Sequence, residues 1–347
     1  MKTAVINTQI QAEAGTKLGA EIIKKGGVVA FPTETVYGLG ANGLNGRAAA
    51  EIFAVKGRPA DNPLILHVSR KNDVKPLWLR KPRHADILMD TFWPGPLTLI
   101  APCSDLVPDE VTAGLDTVAV RMPADRTARL LIQKAGVPIA APSANLSGRP
   151  SPTRAQDVLS DLEGKIPLIL DGGPCRYGVE STVLSLAGAP TILRPGAITR
   201  EMLGALIGEV RVSDSILAPL HEGAPAASPG MKYKHYAPDA QVVCVRGAPR
   251  AAAKKINELY RIAEQDRVAC KIFATEQTKM FYIGKKYVIL GDRNHSETLC
   301  ANLFSALRDS DEQADLILAE GIETGDYGLA YMNRLLRAAG FQVIDVT

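Results

Sequence analysis

Residues 26–43 read GGVVAFPTETVYGLGANG. Val28–Phe31 is an apolar run of strand length. It halts at Pro32, which has no N–H to give a strand ladder. Before it, Ala12–Lys25 has helical spacing and ends at Gly26-Gly27, a pair suited to a helix C-cap. Helix, short buried strand and polar loop make the opening of an α/β layer.

Working outward, Arg47–Val55 reads as a second helix. Leu64–Val68, Leu97–Ala101, Thr117–Arg121, Pro138–Ala141 and Leu168–Leu170 have strand length and composition. Thr182–Leu186 and Thr191–Leu193 suggest a hairpin around Gly188. Residues 1–210 are therefore expected to form one mixed α/β domain. Residues 221–230, HEGAPAASPG, offer little to pack and read as linker. The following MKYKHYAP, residues 231–238, is too aromatic and basic for a passive tether. The expected linker spans 211–238.

From 239 to 347 the pattern becomes regular. Strand-like Val242–Val245, Val268–Phe273, Tyr287–Leu290 and Leu316–Ala319 alternate with helical Ala251–Gln265, Glu297–Arg308 and Leu329–Gly340. That alternation predicts a smaller, Rossmann-like α/β domain with a parallel sheet. At 347 residues, two domains suit the chain length.

A net charge of +3 is too small to argue nucleic-acid binding from bulk charge. Five widely spaced cysteines without a C-x-x-C fit free thiols and no zinc site. The start of the chain lacks a basic segment followed by an apolar one, and no apolar run approaches the roughly 20 residues that span a bilayer. A cytoplasmic protein with no membrane association is the expectation.

Familiar catalytic motifs are absent. Gly38–Gly43 matches G-x-G-x-x-G literally, but six residues separate it from the strand end. A dinucleotide site needs its first glycine on that end. A tight glycine turn is expected there, and no nicotinamide cofactor. No P-loop, G-x-S-x-G or H-E-x-x-H occurs.

Five polar islands remain, each at an expected strand or helix end. They are Pro32–Gly38; Lys56-Gly57-Arg58-Pro59 with Asn62-Pro63; Thr117–Pro123; Pro142–Asn145 with Ser147-Gly148 and Ser151; and Gly178–Thr182 with Arg194-Pro195-Gly196. Lys56, Arg58, Arg121 and Arg194 are cations beside Gly or Pro turns, where backbone and ligand approach closely. Arginine's planar fork suits phosphate and carboxylate. Thr117, Ser143, Asn145 and Ser151 add neutral hydrogen bonds. The mixture fits a nucleoside triphosphate beside a small carboxylate, in a reaction run by positioning and charge stabilisation.

Plainer readings stand beside these. Lys56 and Arg58 also fit a helix C-terminus whose dipole they offset. Arg121 also fits a surface ion pair, and Ser143 and Asn145 a helix N-cap and a turn. His67, inside an apolar run, also reads as a satisfied core histidine.

The stretches FPTETVYGLGAN, KGRPADNPL, WPGPLT, TAGLDTVAVRMP, APSANLSG, GVESTV and LRPGA together resemble the YrdC-like threonylcarbamoyl-AMP synthases. The segment SPGMKYKHYAP and the region after it resemble the longer, two-domain branch. The resemblance implies a twisted-sheet domain with a basic cavity, joined by a linker to a Rossmann-like domain. It also implies a nucleotidyltransferase that turns L-threonine, bicarbonate and ATP, with Mg²⁺, into threonylcarbamoyl-AMP and pyrophosphate. A separate tRNA threonylcarbamoyl transferase would then modify the adenosine next to the anticodon. By resemblance Thr35, His67, Arg121 and Ser181 would hold threonine. Lys56, Arg58, Asn62, Thr117, Ser143, Asn145, Ser151 and Arg194 would hold ATP, with Lys56, Arg58, Ser143 and Asn145 as the catalytic set. Tyr233 would close over the nucleotide. The alternative is an RNA-binding protein that offers the same basic cavity to tRNA directly.

Overall fold

The computed structural model describes residues 2–218, 236–311, 313–325 and 327–347. The chain divides into two compact units. Among the described residues the first runs as far as Ile216, and the second holds 236–347 together with 148–150.

The first unit is a mixed sheet with helices. Its strands are β1 (Ala4–Asn7), β2 (Val29–Phe31), β3 (Gly38–Asn42), β4 (Ile65–His67), β5 (Leu97–Pro102) and β6 (Thr117–Arg121). They continue with β7 (Ile139–Ala141), β8 (Leu168–Asp171), β9 (Thr182–Ser185), β10 (Thr191–Arg194) and β11 (Arg211–Val212). Their order across the sheet is β1-β8-β2-β3-β7-β4-β6-β5-β9-β10-β11. Ile23 of the first helix and Leu131 and Ile132 of the helix Arg126–Ala135 pack over Phe31, Leu168 and Leu170. Each such side chain contributes roughly 1.5–3 kcal/mol when fully buried.

Two expectations change here. The GLGANG stretch is not a turn: Gly38–Asn42 forms β3, antiparallel to β2 with Gly40 opposite Val29. A Cβ on Gly40 would lie 2.6 Å from Ile139 and 2.7 Å from Phe31, so glycine is what lets both side chains pack there. Residues 211 and 212, expected to open the linker, form β11, parallel to β10. Tyr233 lies outside the described residues.

The second unit is an open parallel sheet of β12 (Gln241–Gly247), β13 (Cys270–Thr275), β14 (Tyr287–Gly291), β15 (Leu316–Glu320) and β16 (Val343–Val346). The order is β14-β13-β15-β12-β16, every pairing parallel. The helix Pro249–Gln265 buries Ile256 and Tyr260 against Val245, Ile272 and Leu318. Loops after β12, β14 and β15 line a crevice of about 1110 Å³ at the carboxyl ends of the strands. Among the described residues no helix is long and apolar enough to cross a membrane.

Candidate active site

Strand register gathers the first set of groups. His67 on β4 pairs with Arg121 on β6, and Thr98 on β5 pairs with Arg121 from the other side. Ser181 precedes β9, and its hydroxyl lies 2.7 Å from that of Thr98. Arg194 ends β10 and donates to the Ser181 carbonyl (3.0 Å) and hydroxyl (3.1 Å). The result is a row of polar side chains along one sheet edge, all buried: His67, Arg121, Thr98, Ser181 and Arg194.

The loop after β2 supplies a lid of polar atoms over that row. Arg121 donates to the Thr35 hydroxyl at 2.9 Å and to the Gly95 carbonyl at 3.2 Å. Its Nη2 lies 2.7 Å from Glu34 Oε1. Glu34 also accepts from the Ala124 backbone N–H at 3.0 Å. A buried cation is expensive unless it is paired and hydrogen-bonded; Glu34 supplies the opposite charge, and Thr35 and the Gly95 carbonyl the hydrogen bonds.

A second set comes from the helix Gly46–Lys56. Asn45 caps its start by accepting from Ala48 N–H. Gly57 ends it with a left-handed φ of 60°, which glycine adopts without strain. That cap places Lys56 on the last turn and Arg58 just beyond it. Lys56 is 3% exposed, and its ammonium donates to the carbonyls of Ser143 and Asn145. It is therefore no solvated helix-end cation. Arg58 donates to the carbonyls of Asn62 (3.2 Å) and Pro63 (3.4 Å). Ser143 donates its hydroxyl to Asn145 Oδ1 at 2.5 Å.

The two sets are tied together. Ala144 N–H donates to the Tyr37 carbonyl, which joins the Ser143 turn to the loop carrying Thr35. Ser151 donates to Glu180 at 2.5 Å, beside Ser181. Asn62 is fully buried, yet neither its amide nitrogen nor its oxygen has a hydrogen-bond partner among the described residues. Such a group costs about 1–3 kcal/mol unless something meets it.

Thr117 stands apart. It begins the strand that Arg121 ends, about 13 Å away at roughly 3.3 Å per residue. Among the described residues no side-chain hydrogen bond links it to the row. His67 keeps its core character as well. Its Nδ1 lies 3.1 Å from the Ile65 carbonyl, and its ring meets Phe31 edge-on. Burial, then the charge of Arg121, pushes its pKa down to about 3, so the ring is neutral near pH 7.

Sequence reasoning assigned no role to Glu34 or Thr98. Glu34 was visible inside the PTETVYG island. Thr98 closes the WPGPLT stretch, but it also lies in the apolar run LTLIA, which reads as plain strand.

The sequence model described as telomere recombination, covering Sua5, YciO and YrdC, matches residues 21–196. The one described as threonylcarbamoyl-AMP synthase, C-terminal domain, matches 198–340. A threonylcarbamoyl-AMP synthase of Pyrococcus abyssi is 45% identical, over 99% of this chain and 100% of its own length. The chain belongs to the threonylcarbamoyl-AMP synthase family. The Bacillus subtilis member of that family is 48% identical, over 94% of this chain and 93% of its own. Among solved structures, Pyrococcus abyssi Sua5 complexed with L-threonine superposes with a TM-score of 0.93 at 44% identity, covering 100% of both chains. Residues 21–196 of this synthase family member contain every group of the row and of the Lys56 set.

Proposed function

We propose that the chain condenses L-threonine, bicarbonate and ATP into L-threonylcarbamoyl-AMP and pyrophosphate, acting as a nucleotidyltransferase at the first step of threonylcarbamoyl modification of tRNA. The observation that carries this reading is the buried row in which Arg121 meets Thr35 and Arg194 meets Ser181, joined through the Tyr37 carbonyl to the turn whose carbonyls Lys56 meets. An amino acid's carboxylate and a triphosphate both call for such cations beside neutral donors.

The threonine amine attacks the carbon of bicarbonate, and water leaves as the carbamate forms. A carbamate oxygen then attacks the α-phosphorus, and the bond to the β-phosphate oxygen breaks to release pyrophosphate. Arg121 pairs with the threonine carboxylate, and Thr35 and Ser181 orient the amino acid. The neutral ring of His67 forms part of the wall behind them. Lys56, Arg58 and Arg194 face the charge that moves onto the leaving group, and Ser143, Asn145 and Asn62 fix the nucleotide. Holding these groups on strand ends and tight turns means that little reorganisation is needed during reaction.

Mg²⁺ enters with ATP as part of the substrate, held by its phosphates. Among the described residues no three His, Cys, Asp or Glu side chains converge as a metal cage. The product is a mixed anhydride that water would destroy, so a dry site is part of the mechanism.

Mass analysis of the nucleotide made from ATP, threonine and bicarbonate tests the reading. Threonylcarbamoyl-AMP is expected, with pyrophosphate release that needs all three substrates. Release in the absence of threonine overturns it.

A further inference from the structure

Three arginines of the first unit meet at a cavity that the proposed reaction does not use. Arg70 follows β4 by three residues, and Arg126 and Arg129 open the helix Arg126–Ala135. With Ser69, Leu130 and Gln133 they line a space of about 470 Å³. Arg126 and Arg129 are three apart on the helix and therefore share a face.

Several arginines of the chain are ion-paired, among them Arg121 with Glu34, Arg154 with Asp157 and Arg293 with Glu320. Arg70, Arg126 and Arg129 have no ion pair among the described residues, and the Nε of Arg129 is buried without a hydrogen-bond partner there. The charge of Arg126 acts on Glu13 and that of Arg129 on Asp125, but the close contacts of the nearby acids are with other groups. Asp73 accepts from the Ser69 hydroxyl (3.2 Å) and the Arg70 N–H (3.0 Å). Asp125 accepts from the Ala128 N–H at 2.9 Å, and Glu13 pairs with Lys134 at 2.6 Å. Three like charges around one cavity repel each other, and a multiply charged anion removes that repulsion.

The lining also narrows the class of anion. Guanidinium forks suit phosphate oxygens bidentately. Leu130 is the one apolar side chain in the lining and no aromatic ring is present, so a nucleobase finds nothing to stack on. A concave pocket with three convergent forks fits a compact anion better than an extended strand. We propose that Arg70, Arg126 and Arg129 form a second anion site that takes inorganic pyrophosphate. The pocket itself follows from geometry; pyrophosphate as its natural occupant rests on the reaction proposed above. In sequence it lies close to the first site. Arg70 lies three residues past His67 and Arg126 five past Arg121, and those two residues are register partners.

Calorimetric titration of the full chain with pyrophosphate at physiological salt tests this. Threonine and a non-hydrolysable ATP analogue are kept saturating, so that the nucleotide site is filled. One pyrophosphate per chain is expected, weakened at least tenfold in R126Q/R129Q, while that variant binds the ATP analogue as the parent does. If the double variant fails to fold, Arg70→Gln, on an exposed side chain, is expected to weaken binding several-fold. No uptake with the nucleotide site filled, or unchanged uptake in the arginine variants, overturns the proposal. So does an arginine pocket that binds short RNA and ignores pyrophosphate. Failure of the two readings is distinguishable, because the titration involves no turnover. A chain that forms the adenylate but takes up no second anion sinks the arginine site alone.

Discussion

Each unit buries an arginine against a glutamate, and the two pairs are finished differently. In the second unit Glu320 is fully buried and every partner is in place. It accepts from the Thr275 hydroxyl (2.9 Å) and the Tyr282 hydroxyl (2.6 Å), and Arg293 lies 3.3 Å away. Arg293 also donates to the Gly321 carbonyl at 2.8 Å. In the first unit Glu34 Oε1 and Arg121 Nη2 approach to 2.7 Å, yet neither atom makes a hydrogen bond of acceptable geometry. Distance measures the charge attraction; the angles show that hydrogen-bonding capacity is left over. The network of the second unit uses its carboxylate fully, whereas the pair of the first unit keeps hydrogen-bonding atoms unused among the described residues.

Substitutions can break that comparison from either side. The largest effect is expected at Glu320→Ala, which takes the carboxylate from the mostly buried Arg293 and the acceptor from the buried Thr275 and Tyr282 hydroxyls. Removing one partner of a buried pair costs about 3–5 kcal/mol. Urea unfolding should show that loss, and an unchanged midpoint would mean that the network is not what stabilises the second unit. Arg121→Ala leaves Glu34 unpaired and should also cost stability, but its larger mark should be on the chemistry. Turnover is expected to fall roughly 10²–10³-fold, the cost of removing one preorganised electrostatic contact. A fall of less than threefold would detach Arg121 from the reaction.

His67 gives a smaller, pH-dependent effect. Its folded pKa, about 3, lies below the ordinary value of 6.5, so the unfolded chain binds the proton more readily. Stability from this residue is therefore complete above pH 6.5 and is lost as the pH falls towards 3. Between pH 7 and pH 5 the parent should lose about 2 kcal/mol more than His67→Gln. Equal losses would show a solvated ring. The smallest effect sharpens the contrast most. Asn62→Leu removes two unmet polar atoms at similar volume, so the ligand-free chain should gain about 1 kcal/mol. ATP binding should weaken in the same variant. A stability loss with unchanged ATP affinity would make Asn62 an ordinary core residue.

Much of this was legible in residue order, for identifiable reasons. Short apolar runs ending at Pro or Gly mark most strands of both sheets, and cations beside glycines mark Lys56, Arg58 and Arg194. The GLGANG strand was hidden because its glycines serve packing by Phe31 and Ile139, a fact carried by neighbours far along the chain. Thr98 was hidden because strand register, not local sequence, places it opposite Arg121. Thr117 and Arg121 fall in one sequence island, yet strand length alone sets them about 13 Å apart at roughly 3.3 Å per residue. The burial of Lys56 depends on the carbonyls of Ser143 and Asn145, almost ninety positions further on.

The way the central strands interleave has a consequence for how the protein is made. β4 is flanked by β7 and β6, and β5 by β6 and β9, so the edge holding the reactive groups is closed by segments that leave the ribosome late. Thr35 emerges early but has no arginine to meet until residue 121, and Ser181 waits for residue 194. An incomplete nascent chain therefore lacks these contacts until the later partner of each pair has emerged.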